Sequence, residues 1–271
     1  MPLPAPAPLA GWISRSFSHD GLTHTVHERG TGPAVILLPE LPGITPQVRA
    51  FADAVVEAGF RVSLPSLTGT DGAPLTAGRL VASMGRLCVA REFRAFAVAA
   101  ARPFTAWLRA LAADVARATG APTVGVIGMC FTGGFALAAA ADPLVSAAVV
   151  SQPSLPFPVS TRHRADIGLS PDERTAVAAR ARAGAVCALG LRFSNDQASP
   201  RERFDGIRDL LGEAFEVIEI DSAPGNPHGI SPHAHTVLTL DGMSTDVTDS
   251  AREQVVAFLR RHLPAGSAST G

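Results

Sequence analysis

The chain has 271 residues, 46% of them hydrophobic and 17% charged, and a formal net charge of -1. That length suits one large α/β domain with a substantial core, and the composition is too apolar for a disordered chain. The near-neutral charge gives no basic field to attract nucleic acid or anionic lipid, so neither is an expected partner. Three cysteines, Cys88, Cys130 and Cys187, are widely spaced and form no C-x-x-C pair. They suggest neither a disulfide framework nor a cysteine zinc site, and a reducing cytoplasm is the expected setting.

The start, Met1 to Pro8, is proline-rich and lacks a basic segment followed by an apolar run, so it does not read as a secretory signal. No stretch reaches the roughly 18 uninterrupted apolar residues of a membrane span. The expectation is a single domain over 1–271 with loose ends at 1–10 and 264–271.

Trp12 to Phe17 and His24 to Arg29 read as two strands joined at His19-Asp20-Gly21. Ala34 to Leu38 reads as a strand buried on both faces. The loop Pro39 to Thr45 follows, with Thr45 as the cap of a helix that has Pro46 at its first position, turns Val48, Phe51, Ala52, Val55 and Val56 inward and stops at Gly59. Arg61 to Leu64 is the next strand. The Gly/Thr/Pro-rich segment Leu67 to Ala77 is expected as a loop near the site, and Leu80 to Phe96 as an irregular helix. From Pro103, the face Trp107, Leu108, Leu111, Ala112 and Val115 predicts a helix ended by Gly120.

Val124 to Ile127 is a strand, Phe135 to Ala141 a helix, and Val145 to Val150 a strand. Ser170-Pro171-Asp172-Glu173 and Ser199-Pro200-Arg201-Glu202 both read as helix starts. Ala185 to Leu191 and Phe215 to Ile220 are strands, and Asp246 to His262 is the last helix. Strands alternating with helices predict an α/β fold: a mostly parallel sheet with helices on both faces.

Gly128-Met129-Cys130-Phe131-Thr132-Gly133-Gly134 lies between a strand and a helix. It has the form of a nucleophile elbow, with cysteine as the nucleophile. Cys88 and Cys187, set in apolar surroundings, read instead as buried packing residues. A phosphate-binding loop is disfavoured, because Gly-Lys-Ser/Thr is missing. The orienting acid belongs after a later strand, where Asp196 stands; the lesser alternative there is a turn or capping aspartate. Asp205 and Asp209, inside the next helix, are weaker candidates. The base belongs after the last strand, where His228, His233 and His235 all lie. Spacing does not choose among the three, and they lack the compact ligand pattern of a metal site, so no metal or other cofactor is expected.

These motifs resemble the dienelactone hydrolase family, cysteine-nucleophile members of the α/β-hydrolase fold, over roughly Val35 to His262. The elbow is similar to the family's nucleophile turn, Asn195-Asp196 falls where its aspartate stands, and Ala234-His235-Thr236 resembles its histidine segment. Glu40-Leu41-Pro42-Gly43-Ile44 resembles its Glu-x-x-Gly segment. The resemblance implies Cys130 as nucleophile, His235 as base and Asp196 as its orienter. It further implies Glu40 against the resting thiol, and the backbone N–H groups of Leu41 and Phe131 as the oxyanion hole. Family members that bind an anionic lactone use arginines, one of them shortly after the histidine. Here Thr236-Val237-Leu238-Thr239 follows instead. Arg91, with Arg86 and Arg94, is a candidate for substrate contact, and Leu155, Pro156 and Phe157 are candidates for an apolar mouth. The expected activity is hydrolysis of a small carboxylic ester or lactone by a monomer or homodimer. An acyltransferase on the same triad and a non-catalytic binding protein are the alternatives.

Overall fold

The computed structural model describes residues 9–239 and 246–263. Of the loose ends expected at 1–10 and 264–271, residues 1–8 and 264–271 lie outside the described residues, whereas Leu9 is buried and the Ala10 carbonyl accepts from Arg49 at 3.1 Å, so these two residues are held rather than loose. The chain opens with a hairpin, β1 (Ile13–His19) and β2 (Leu22–Arg29), turned at Asp20 and Gly21 with φ of 47° and 77°. Two positive φ values in a two-residue turn match the right-handed twist of the strands it joins. Then come β3 (Ala34–Leu38), α1 (Pro46–Glu57), β4 (Arg61–Ser66), α2 (Ala77–Val89) and α3 (Pro103–Thr119). After β5 (Val124–Met129) and a tight 3₁₀ turn at Cys130–Thr132 come α4 (Gly133–Ala139), β6 (Val145–Ser151), α5 (Thr161–Ala165) and α6 (Pro171–Arg182). The chain closes with β7 (Cys187–Phe193), α7 (Arg201–Leu211), β8 (Phe215–Ile220) and α8 (Asp246–His262).

Local chemistry sets several of these boundaries. The Thr45 hydroxyl accepts from Val48 N at 3.2 Å and starts α1. In α6 the Ser170 hydroxyl accepts from Glu173 N at 3.3 Å while the Glu173 carboxylate accepts from Ser170 N at 2.8 Å, a reciprocal capping box. Gly120 ends α3 at φ 65°.

Some boundaries differ from those the sequence predicts. The helix expected over Leu80 to Phe96 begins at Ala77, capped by Thr76, and ends at Val89. Beyond it the chain breaks out so that Phe93 can pack against Phe104, Phe131 and Phe135. Arg94 and Ala99 there take positive φ, which a helix forbids. Ser199 does not cap α7, which begins at Arg201 without a side-chain cap. Its N–H is held by Asp196 and its carbonyl by Arg192. Cys88 is exposed rather than buried, because α2 lies on the surface and buries only Ser83 and Leu87. Cys187, at the start of β7, is half-buried. The short α5 has no counterpart in the sequence reading.

The strands form one sheet in the order β1-β2-β4-β3-β5-β6-β7-β8. The β1–β2 and β2–β4 pairs are antiparallel and the other pairs are parallel. One face is covered by α3 and α4, with Trp107, Phe104, Phe131 and Phe135 in the core. The other is covered by α1 and α8, which bury Phe51, Val55, Phe258 and Leu259. The register pairs Leu38 with Gly128, Met129 with Ser151, and Ser151 with Leu191. The C-terminal ends of β3, β5, β6 and β7 are therefore nearly level, and the loops after them converge. Chain direction across the sheet reverses between β3 and β5, which opens a crevice at that edge.

Candidate active site

Cys130 sits at the turn from β5 into α4 with φ of 55°, a left-handed conformation uncommon outside glycine. The turn is held by Thr132, whose hydroxyl accepts from Met129 N at 2.8 Å and lies within 3.3 Å of the Leu38, Pro39 and Met129 carbonyl oxygens. That hydroxyl ties the elbow to the end of β3. Gly128 and Gly133 of the motif are steric requirements. A Cβ at Gly128 would stand 2.4 Å from Thr132 O, and one at Gly133 would stand 2.9 Å from Pro153 Cα.

The loop after β7 presents Asp196. Its Oδ2 is 2.7 Å from His235 Nδ1, while Oδ1 accepts the N–H groups of Ala198 at 2.9 Å and Ser199 at 3.3 Å. Asp196 thus both fastens its own turn and holds the His235 ring. It is 5% exposed, so the carboxylate is shielded and its orientation fixed. The Asn195 amide donates to Pro232 O at 2.8 Å and ties this loop to the histidine segment. With Nδ1 taken by Asp196, the rest of the His235 ring lies close enough to Cys130 for the two charges to interact. Burial draws the His235 pKa down. Interaction with Cys130, and then the hydrogen bond with Asp196 and its charge, outweigh it, and the net value is well above the usual histidine range. His228 and His233 are exposed, as are Asp205 and Asp209 on α7. Among the described residues, no cluster of three His, Cys, Asp or Glu side chains could hold a metal ion.

Glu40 is buried at the end of β3. The Thr239 hydroxyl donates to its Oε1, and the Gln152 amide donates to Oε2 at 3.0 Å. Its carboxylate is thus engaged with these two residues, whereas the hydroxyl beside Cys130 Sγ is that of Ser154, at 3.4 Å. Burial raises the Glu40 pKa, opposed by Thr239, the His235 charge and Gln152. Leu41 and Phe131, both buried, follow Glu40 and Cys130 at the ends of neighbouring strands. Arg91, Arg86 and Arg94 are exposed, and the Arg94 guanidinium donates to Ala101 O at 3.0 Å. Leu155 and Pro156 are buried and Phe157 is half-buried against Phe96.

The sequence model of the Dienelactone hydrolase family matches residues 20–263. The chain belongs to that family. No curated protein matches it. Solved structures share its fold at low identity. A dienelactone hydrolase from Anabaena variabilis ATCC 29413 is 16% identical with a TM-score of 0.61, over 93% of this chain and 98% of that one. The dienelactone hydrolase-like promiscuous phosphotriesterase P91, from metagenomic libraries, is 15% identical with a TM-score of 0.56, over 93% and 98%. Est1E from Butyrivibrio proteoclasticus is 13% identical with a TM-score of 0.53, over 92% and 98%. Family and fold make the chain a hydrolase of the α/β class. Among the described residues, no helix is long and apolar enough to cross a membrane.

Three residues that the sequence did not single out stand in the hydrogen bonds around this candidate site: Gln152, Ser154 and Thr239. Gln152 takes φ of 33° immediately after β6, which no side-chain pattern announces. Ser154 stands in the loop after the strand next to β5, a position that topology would have flagged. Thr239 lies one helical turn's worth of chain past His235, and only the folded loop brings it to Glu40.

Proposed function

We propose that this family member hydrolyses a small carboxylic ester or lactone through Cys130, His235 and Asp196, by way of an S-acyl intermediate. The observation that carries the reading is the Asp196–His235 hydrogen bond near Cys130, a cysteine in the left-handed conformation of a nucleophile elbow. The Cys130 sulfur attacks the carbonyl carbon while the proton resides on His235. The carbonyl π bond opens to an oxyanion, held by the N–H groups of Leu41 and Phe131. Collapse expels the alkoxide, which takes the proton from His235 and leaves a thioester on Cys130. Water then gives a proton to His235 and its oxygen attacks the thioester. The acid departs and the sulfur leaves as thiolate beside the charged imidazole.

Asp196 keeps Nδ1 of the ring protonated and stabilises its positive charge. Glu40, hydrogen-bonded to Gln152 and Thr239, joins the loops on either side of the ring. Leu155 and Phe157 beside Ser154 fit a substrate of low charge, with Arg91 at most at its outer end.

The test is steady-state hydrolysis of short nitrophenyl esters, with and without an added alcohol as competing acceptor. Asp196→Asn should lower kcat by about 10³–10⁴ with little change in KM, because an amide favours the wrong ring tautomer. Release of free acid at a rate independent of the alcohol supports hydrolysis. Release that needs the alcohol assigns acyl transfer instead. An Asp196→Asn protein as active as wild type contradicts the triad.

A further inference from the structure

The loop after β6 brings to the nucleophile a hydroxyl that the triad does not employ. Ser154 Oγ is 3.4 Å from Cys130 Sγ, and Ser154 N donates to Cys130 O at 3.0 Å. Side chain and backbone both fasten this residue to the nucleophile, and it is 3% exposed, so water competes little for either atom.

The segment that carries Ser154 is built rather than loose. Arg203, fully buried, donates from Nη1 to Pro153 O at 2.6 Å and from Nη2 to Pro156 O at 2.7 Å. Its remaining bonds go to Asp166 O at 2.7 Å and His163 O at 2.8 Å. One guanidinium thus spans Ser154 from either side. Pro153 closes against Gly133, and Gln152 N donates to Leu191 O at 2.7 Å. Glu40, by contrast, directs its carboxylate to Gln152 and Thr239.

We infer that Ser154 is a further catalytic residue, whose hydroxyl donates its hydrogen to the Cys130 sulfur and holds it as a thiolate facing protonated His235. The inference rests on the reading of Cys130 as the nucleophile. A thiolate accepts a hydrogen bond better than a thiol or a thioester sulfur does. The bond is therefore strongest in the resting ion pair and again when the sulfur departs during deacylation. The titratable groups gathered round the sulfur are His235 directly, with Asp196 and Glu40 acting through it. In the family resemblance it is the glutamate that contacts the resting thiol; in this chain a serine from the neighbouring strand end does so.

The experiment is alkylation of the full chain by iodoacetamide, followed at the Cys130 peptide by mass spectrometry, for wild type, Ser154→Ala and Ser154→Thr. Exposed Cys88 reports in the same digest that the reagent is active in every sample. The Cys130 rate near pH 6 should fall about tenfold in Ser154→Ala, and should approach wild type near pH 9, where a thiol ionises without help. Turnover of a nitrophenyl ester should fall in kcat by about the same factor, with KM nearly unchanged, and Ser154→Thr should restore both. A wild-type alkylation rate in folded Ser154→Ala overturns the inference, as does a loss that Ser154→Thr fails to restore. If Ser154→Ala does not fold, Ser154→Cys keeps the volume with a weaker donor and should show the same fall. Acylation of Cys130 by the ester in wild type separates the two failures. Its absence overturns the nucleophile reading itself, and its presence with an unaltered Ser154→Ala overturns only the role given to Ser154.

Discussion

Cys130 reaches the turn with a left-handed backbone, and Glu40 holds its place with a buried carboxyl. At 4% exposure, Glu40 has a pKa raised mainly by burial. The unfolded chain ionises this residue near the ordinary value of about 4.3, while the folded chain holds its proton to higher pH. Above the ordinary value the unfolded state therefore binds fewer protons than the folded state, and stability is lost as pH rises towards the folded pKa. Glu40→Gln keeps the shape and removes the charge. Its melting temperature near pH 8 should exceed that of wild type by roughly 2–4 °C, and the difference should shrink near pH 4. Thermal unfolding at the two pH values checks this. A variant less stable than wild type at pH 8 would mean that the carboxylate is held as an anion by His235, against the burial argument. For His235 the sign is opposite. Its folded pKa is raised, so its contribution to stability is complete below the unfolded value of about 6.5 and is lost as pH rises through the folded one.

At the scale of elements, the elbow and the loop after β6 act as one unit. A Cβ at Gly133 would meet Pro153 Cα and Cβ at 2.9 Å, whereas a Cβ at Gly134 meets nothing closer than Leu155 O at 3.6 Å. Gly133→Ala should therefore push the Ser154 segment outward and cost about 1–3 kcal/mol, while Gly134→Ala should be nearly neutral. Urea unfolding of the pair, with esterase activity measured beside it, gives the comparison. Equal stability for the two variants would show that the loop yields freely. The strand–elbow–helix order was legible from β-branched residues running into glycines and alanines. So were the caps Thr45 and Ser170, because an N-cap is local chemistry. Ser199 misled because the same Ser-Pro-x-Glu pattern stands beside Asp196, whose carboxylate takes the serine N–H first. The helix predicted to reach Phe96 ends early because Phe93 gains more by joining the aromatic cluster around Phe104 and Phe135. That is a tertiary preference that local periodicity does not carry.

At the scale of the whole molecule, the parallel register does most of the assembly. Level ends of β3, β5, β6 and β7 bring Glu40, Cys130, Ser154 and Asp196 to one edge from segments far apart in sequence. The fold class could be read in advance, because alternating elements and right-handed crossovers leave few topologies. The choice among His228, His233 and His235 could not be made from spacing, since it depends on how the loop after β8 folds back towards Asp196. Family resemblance pointed to His235, and the structure has Asp196 against that ring. The engagement of Glu40 with Gln152 and Thr239, and of Ser154 with the sulfur, arises from side chains of different loops, and no single stretch of sequence holds both partners.

The most direct test of this account is intact-protein mass spectrometry after brief mixing with a p-nitrophenyl ester, for wild type and Cys130→Ala. The account predicts one added acyl group and a burst of nitrophenol in wild type, with neither in the variant and turnover lower by at least about a thousandfold. Turnover that persists in Cys130→Ala at the wild-type rate would contradict it.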